Sequence, residues 1–371
     1  MSSSVGFDIK VQRKQVMEPI PYVVNSPTGF DTVFEEFQFD PSVHLQYEPP
    51  SHVIDLNFNK IPFSEWRKEH LENQNCAANL AFTSPFRILS DEGVKVLREV
   101  FERNKNNSKL CQSDDRTPLR VRGLGHVSKF VRDINRSNEL QAILSEMARE
   151  GICAHGVPMN YGQVNVGHIG GDRPVDAWHI DSLDFVMVMI LSDMSGADGG
   201  ELQVALKDAQ TAKRQLSTNG ELASGEEMMT VAYPGAGYAI FMQGAKILHR
   251  VTAVKSAKEP RISMVNSYMR TNVFGADNTK FSMFEEIDPK HVAAVEFARQ
   301  KSWRVKGMMD YIINHASYGE DRTDVLNVLN GAIEELTSTR ELLAGRKNDA
   351  VGYFDEKTKS EAMRMTEPKL V

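Results

Sequence analysis

His179 and Asp181 stand one residue apart in Trp178-His179-Ile180-Asp181, and a second histidine follows well downstream in Leu248-His249-Arg250-Val251. A His-x-Asp pair with a distant histidine is the ligand set of a mononuclear non-haem iron site. Three protein groups hold one face of the metal there and leave the other open to substrate and dioxygen. With ten histidines in 371 residues, roughly half a His-x-Asp pair is expected by chance, so the weight falls on what surrounds each ligand.

Three elements must position these groups. After Asp181, Phe185-Val-Met-Val-Met-Ile-Leu191 is a short apolar run bounded by Ser192-Asp193 and Gly196. It predicts a buried strand and puts the first pair at a strand edge. In Lys246-Ile-Leu-His-Arg-Val-Thr-Ala-Val254, the two-residue strand period sets Ile247, His249, Val251 and Ala253 on one face. His249 then points inward with apolar neighbours, while Arg250 turns away and braces the barrel. Pro260-Arg261-Ile-Ser263 opens a further strand with Arg261 and Ser263 on one face. An inward guanidinium beside a hydroxyl calls for a carboxylate.

With these residues the chain resembles the Fe(II)/2-oxoglutarate-dependent oxygenases, whose pattern is His-x-Asp, a distal His and, further on, Arg-x-Ser. The resemblance spans roughly residues 158–270 and takes in Asn160-Tyr-Gly-Gln-Val-Asn165, Gly199-Gly200-Glu201-Leu202, Tyr233-Pro234-Gly235-Ala-Gly237 and Ala239-Ile-Phe241. It implies a mainly β core with flanking helices (α+β), built as a double-stranded β-helix, a jelly roll whose two antiparallel sheets form a mouth for metal and substrates. One domain is expected, with an extended and helical buttress over 1–157, a catalytic core over 158–272 and a helical region over 273–371.

The resemblance also implies roles. His179, Asp181 and His249 would hold Fe(II), and 2-oxoglutarate would chelate it through its keto and C1 carboxylate oxygens. The far carboxylate would meet Arg261 in a two-point contact, with the Ser263 hydroxyl beside it. Tyr161, Gln163 and Asn165 alternate ahead of the metal pair and are expected to contact this co-substrate from one strand face. Dioxygen is the other co-substrate. The products would be succinate, carbon dioxide and an oxidised C–H bond. Related halogenases replace the carboxylate ligand by a small residue so that chloride can bind, so Asp181 argues for hydroxylation, desaturation or ring closure. Arg122 and Arg173 are candidates for fixing a carboxylate of the prime substrate, a free amino acid or a specialised-metabolite intermediate. Two alternatives stay open. One is an oxidase of the isopenicillin N synthase type that takes no 2-oxo acid; the other is a non-catalytic jelly-roll binding protein.

Composition narrows the setting. Net charge is −7 and no stretch is strongly basic, which leaves no electrostatic footprint for nucleic acid or an anionic membrane. Cys76, Cys111 and Cys153 are odd in number and widely spaced, as suits reduced thiols in a cytoplasmic enzyme. The N-terminus lacks an apolar leader core, and no apolar run approaches the ~20 residues of a membrane span.

The flanks read as support. Residues 1 to 88 are Pro-rich and extended. Ser90-Asp-Glu predicts an N-cap and acidic first turn for a helix to about Asn106. A second helix is expected from Ser137 to Glu150, stopped by Gly151. The polar segment 208–227 reads as an inserted loop able to act as a lid. Asp288-Pro289 predicts a helix start with Asp288 as its cap, and Asp321–Leu343 a last helix. These C-terminal helices could cover the mouth, pack outside the barrel or pair two copies into a homodimer.

Overall fold

The apolar run after Asp181 forms a strand with both faces covered, which is why it reads as continuous apolar sequence with no polar alternation. The computed structural model describes residues 15–350 apart from 23–26, 28–29, 31–36, 56–79, 113–116, 118, 208, 220–221, 223–226, 276 and 320. The extreme N-terminus and Cys76 lie outside the described residues.

In chain order the strands are β1 (Val53–Asp55), β2 (Leu80–Thr83), β3 (Phe86–Arg87), β4 (Cys111–Gln112), β5 (Leu119–Val121), β6 (Ile152–Ala154), β7 (Gln163–Gly167) and β8 (Asp176–His179). They continue with β9 (Phe185–Ile190), β10 (Asp198–Gly199), β11 (Leu202–Ala205), β12 (Met228–Val231), β13 (Tyr238–Met242), β14 (His249–Val251), β15 (Val254–Ser256) and β16 (Arg261–Arg270). The helices are α1 (Pro41–His44), α2 (Asp91–Asn104), α3 (Leu124–Val127), α4 (Lys129–Asn135), α5 (Asn138–Ala148), α6 (Ala209–Asn219), α7 (Phe281–Ile287), α8 (Lys290–His315) and α9 (Thr323–Leu343).

The large sheet runs β1-β2-β13-β9-β16-β7-β5-β4, and the smaller one β12-β11-β14-β8. All pairings between these strands are antiparallel. Register decides what each face carries. Ser263 pairs with Asn165 and Ile190, and Val265 with Gln163 and Val188, so these residues share the inner face. There Ile54, Phe82, Val186, Ile190, Ile240 and Met242 meet Leu202, Val204 and Val251 of the smaller sheet. The outer face, with Met187, Met189, Phe241 and Met264, packs on Leu97 and Val100 of α2, Phe130 of α4, and Leu140 and Leu144 of α5. Two sheets closed over one apolar core, with helices behind the larger, make a double-stranded β-helix.

The buttress helices form close to where the sequence puts them. Ser90 Oγ accepts from Gly93 N and caps α2, and Ser137 Oγ caps α5 through Leu140 N. The turn that ends α5 is made by Arg149 at φ 54°, ahead of Gly151. Among the described residues no helix is long and apolar enough to cross a membrane.

Two expectations need correcting. Segment 208–227 contains α6, and Ala212, Leu216 and Leu222 pack on Trp178, Ala205 and Leu248. Those three alternate with His179, Val204 and His249, so α6 backs the smaller sheet from outside, away from the mouth. Asp288 does not cap α8, which starts after Pro289 without a side-chain cap. Its carboxylate is spent on Arg122, 2.7 Å from Nε and 2.6 Å from Nη2.

That ion pair fastens the C-terminal helices to the barrel, with Arg122 Nη2 also donating to Asn160 Oδ1 at 2.6 Å and Nη1 to Gln163 Oε1. Both side chains are nearly inaccessible, so removing one strands a charge. Arg122→Met should lower unfolding stability by about 3–5 kcal/mol, whereas Arg122→Met with Asp288→Leu should recover most of that loss. Denaturant titration of the three proteins checks this.

Candidate metal and co-substrate site

The smaller sheet brings the candidate ligands together. β8 ends on His179, β14 opens on His249, and the two are register partners on adjacent antiparallel strands. Directly opposed residues point the same way, and the imidazole centroids lie 4.2 Å apart. The strand around His249 is shorter than its sequence suggests, because Gly244–Lys246 turn and pairing begins only at His249. Asp181 follows just beyond the end of β8, where its N–H donates to Gly244 O at 3.0 Å. Its Oδ1 lies 3.3 Å from His179 Nε2 and its Oδ2 3.7 Å from His249 Nε2. One ligand atom from each of the three falls within 4.8 Å of the others.

The tautomers suit a metal. His179 Nδ1 lies 2.6 Å from Ala177 O, and His249 Nδ1 3.1 Å from Ile247 O. A carbonyl can only accept, so each Nδ1–H donates and each Nε2 turns its lone pair to the shared centre. Burial, and then the neighbouring His179, hold the His249 pKa down to about 4, so its ring is neutral at neutral pH. These residues fit a divalent metal of intermediate hardness.

Arg261 is buried at the start of β16. Nε donates to Gly200 O at 2.9 Å and Nη1 to Ser263 Oγ at 2.7 Å, while buried Nη2 has no hydrogen-bond partner. Among the described residues no carboxylate forms an ion pair with it. The Tyr233 ring lies 5.7 Å from its Cζ. A buried cation with one donor unmet fits an anion brought in by a ligand.

The other sequence candidates divide. Gln163 and Asn165 face the interior, with Gln163 Nε2 donating to Asn165 Oδ1 at 3.0 Å. Tyr161 does not join them. Gly162, at φ 67°, interrupts the strand period, and the Tyr161 ring enters the helix-side core with its hydroxyl donating to His155 O at 2.6 Å. Arg122 is committed to Asp288, and Arg173 is exposed in the loop between β7 and β8. His168 is exposed, whereas His155 is buried with Nδ1 accepting from Val157 N and Nε2 on Thr279. Arg120, in register with Asn165, is the inner-face arginine of that pair of strands not tied to Asp288.

The family model for Halogenase D matches residues 69–285, a span that holds all three ligands and Arg261. The chain belongs to the Halogenase D family. No curated protein matched it by sequence. Among solved structures it is similar to the non-haem α-ketoglutarate-dependent carbocyclase SnoK from nogalamycin biosynthesis, at 13% identity and TM-score 0.39 over 60% of this chain and 87% of that one. It is also similar to the epimerase SnoN of the same biosynthesis, at 15% and 0.36 over 49% and 75%. A third is EctD from S. alaskensis, at 12% and 0.36 over 49% and 70%. In this chain the third residue of the candidate set is a carboxylate, Asp181.

Sequence reading missed Gly244, which shapes that carboxylate. A Cβ at position 244 would fall 1.8 Å from Asp181 Oδ2, and the backbone bond between the two residues keeps the segments from parting. Gly244→Ala should therefore push the carboxylate aside and weaken Fe(II) or Co(II) binding about 10- to 100-fold. If the clash is the cause, the same change made on an Asp181→Gly background should cost no further metal affinity. Anaerobic titration calorimetry reads both.

Proposed function

We infer that the chain is an Fe(II)- and 2-oxoglutarate-dependent oxygenase that oxidises a C–H bond of a small molecule, with dioxygen as second co-substrate. One observation carries this reading. The same barrel holds a His-Asp-His set with both Nε2 lone pairs convergent and, on the inner face, a buried arginine with an unmet donor. Fe(II), when bound, supplies the redox chemistry that couples loss of carbon dioxide from 2-oxoglutarate to oxidation of the C–H bond.

The chain's own groups do the positioning. Backbone bonds to Nδ1 fix both imidazole planes, and Gly244 fixes the Asp181 backbone. Arg261 and Ser263 receive the far carboxylate of 2-oxoglutarate, while Asn165 and Gln163 line the same face. The loop after Asp181 is closed from outside by Leu183, which packs with Phe281 and Phe284 of α7 and Phe297 of α8. Apolar cover at that point keeps water from the reacting centre. Retention of Asp181 supports hydroxylation, desaturation or ring closure over halide transfer, with a free amino acid or specialised-metabolite intermediate as substrate. Cys111 and Cys153 are free thiols, which supports a reducing, cytoplasmic setting.

Arg261→Lys keeps the charge and loses the planar fork. It should raise KM for 2-oxoglutarate at least about tenfold while KM for the prime substrate moves little. Succinate and product are measured together. Equal rises in both constants, or turnover without succinate, would replace this reading with the oxidase that binds its substrate carboxylate at Arg261. With chloride present, the product should carry oxygen or unsaturation and no chlorine.

A further inference from the structure

The apolar surface of α9 is wider than its packing against α8 uses. Val328, Ala332, Thr339 and Leu342 are buried on one side of it. A second row, Leu326, Leu329, Ile333, Leu336 and Leu343, stays exposed, with Ile333 at 61% and Leu326 at 53%. Together with Arg340, these residues recur at alternating spacings of three and four, the a/d pattern of a two-helix seam. Such a row on a soluble chain marks an interaction surface.

We propose that this row is a homodimer seam, on which α9 packs antiparallel to α9 of a second copy about a two-fold axis between Ile333 and Leu336. The pattern selects this occupant because it reads the same in both directions, as a self-complementary isologous interface requires. In that register Leu326 falls opposite the partner's Leu343, Ile333 opposite the partner's Leu336, and Arg340 opposite the partner's Leu329. Parallel pairing would instead set Arg340 against the partner's Arg340. The flanks agree: Val325, Asn330, Ala332, Thr337 and Thr339 carry no charge. Of the carboxylates beside the row, Glu335 is matched within one chain by Lys301 and Arg304, and Glu341 by Arg340 and Arg346, while Glu334 is exposed next to the proposed axis. No acidic residue stands at a seam or flanking position, so two copies of a chain with net charge −7 can approach along this edge without an acid in the seam itself. Segment 351–371 of the same chain has no apolar row of this length and spacing to offer in its place.

Light scattering after size exclusion should give, at about 0.1 mM chain, twice the 41.6 kDa of one copy. Ile333→Glu should return a monomer with unchanged circular dichroism, because the side chain is exposed, and its unfolding midpoint should match that of the wild-type chain diluted until it is monomeric. With the native cysteines replaced, identical spin labels at position 334 should lie closer together than labels at 327 or at 341. A monomeric wild-type chain overturns the proposal, as does a dimer that survives Ile333→Glu. Equal label distances at the three positions overturn the antiparallel arrangement. A wild-type monomer that dimerises once residues 351–371 are removed would assign the row to the chain's own tail.

Discussion

The pairing of β8 with β14 sets the site. It places His179 opposite His249, and because side chains on a strand alternate, a slip of one strand by one residue would turn one of the two imidazoles to the outside. The alternation is anchored from behind. Trp178 and Leu248, the neighbours that must face outward, are buried under α6, and Arg250 stacks over the Trp178 ring while bonding Gln203. α6 and its apolar contacts therefore hold the register that aims two lone pairs at one point. Asp181 needs a second device, since it lies beyond the strand, and the Gly244 carbonyl supplies it.

Two of the buried arginines, Arg122 and Arg261, show how burial and partnership differ within one barrel. Arg122 and Arg261 are equally hidden, and a guanidinium in such a place must find acceptors. Arg122 finds them within the chain, in Asp288, Asn160 and Gln163, and so joins the barrel to α8. Among the described residues Arg261 finds a carbonyl and a hydroxyl, and its Nη2 is left without an acceptor. The same residue type is a clamp in one position and, in the function proposed above, a receptor in the other.

Much of this was legible in the sequence where the evidence is local. The gathering of His179, Asp181 and His249 and the inward placement of Arg261 and Ser263 follow from spacing and strand period, and the caps of α2 and α5 from Ser90 and Ser137. What escaped depends on contacts distant in sequence or on backbone shape. Nothing near Arg122 announces Asp288, whose place before a proline suggests a helix cap instead. Spacing puts Tyr161 on the β7 face because Gly162 gives no sign in composition that it breaks the alternation. The polar residues of 208–227 outnumber Ala212, Leu216 and Leu222, so a packed helix read as a loop. Gly244 carried no signal, because its importance lies in the space it leaves. The matched family is named for a halogenase, and the proposal of oxygen chemistry over halogen transfer rests on the carboxylate at residue 181.

The central claim, that one barrel holds a three-ligand metal with an open face and an arginine that reads a 2-oxo diacid, is tested most directly by an anaerobic crystal structure with Fe(II) and 2-oxoglutarate. The account predicts a single ion bound by Nε2 of His179, a carboxylate oxygen of Asp181 and Nε2 of His249. It predicts 2-oxoglutarate chelating that ion, with its far carboxylate on Arg261 Nη2 and Ser263 Oγ. An ion closed off by a fourth protein ligand, or 2-oxoglutarate absent from the barrel at saturating concentration, would contradict it.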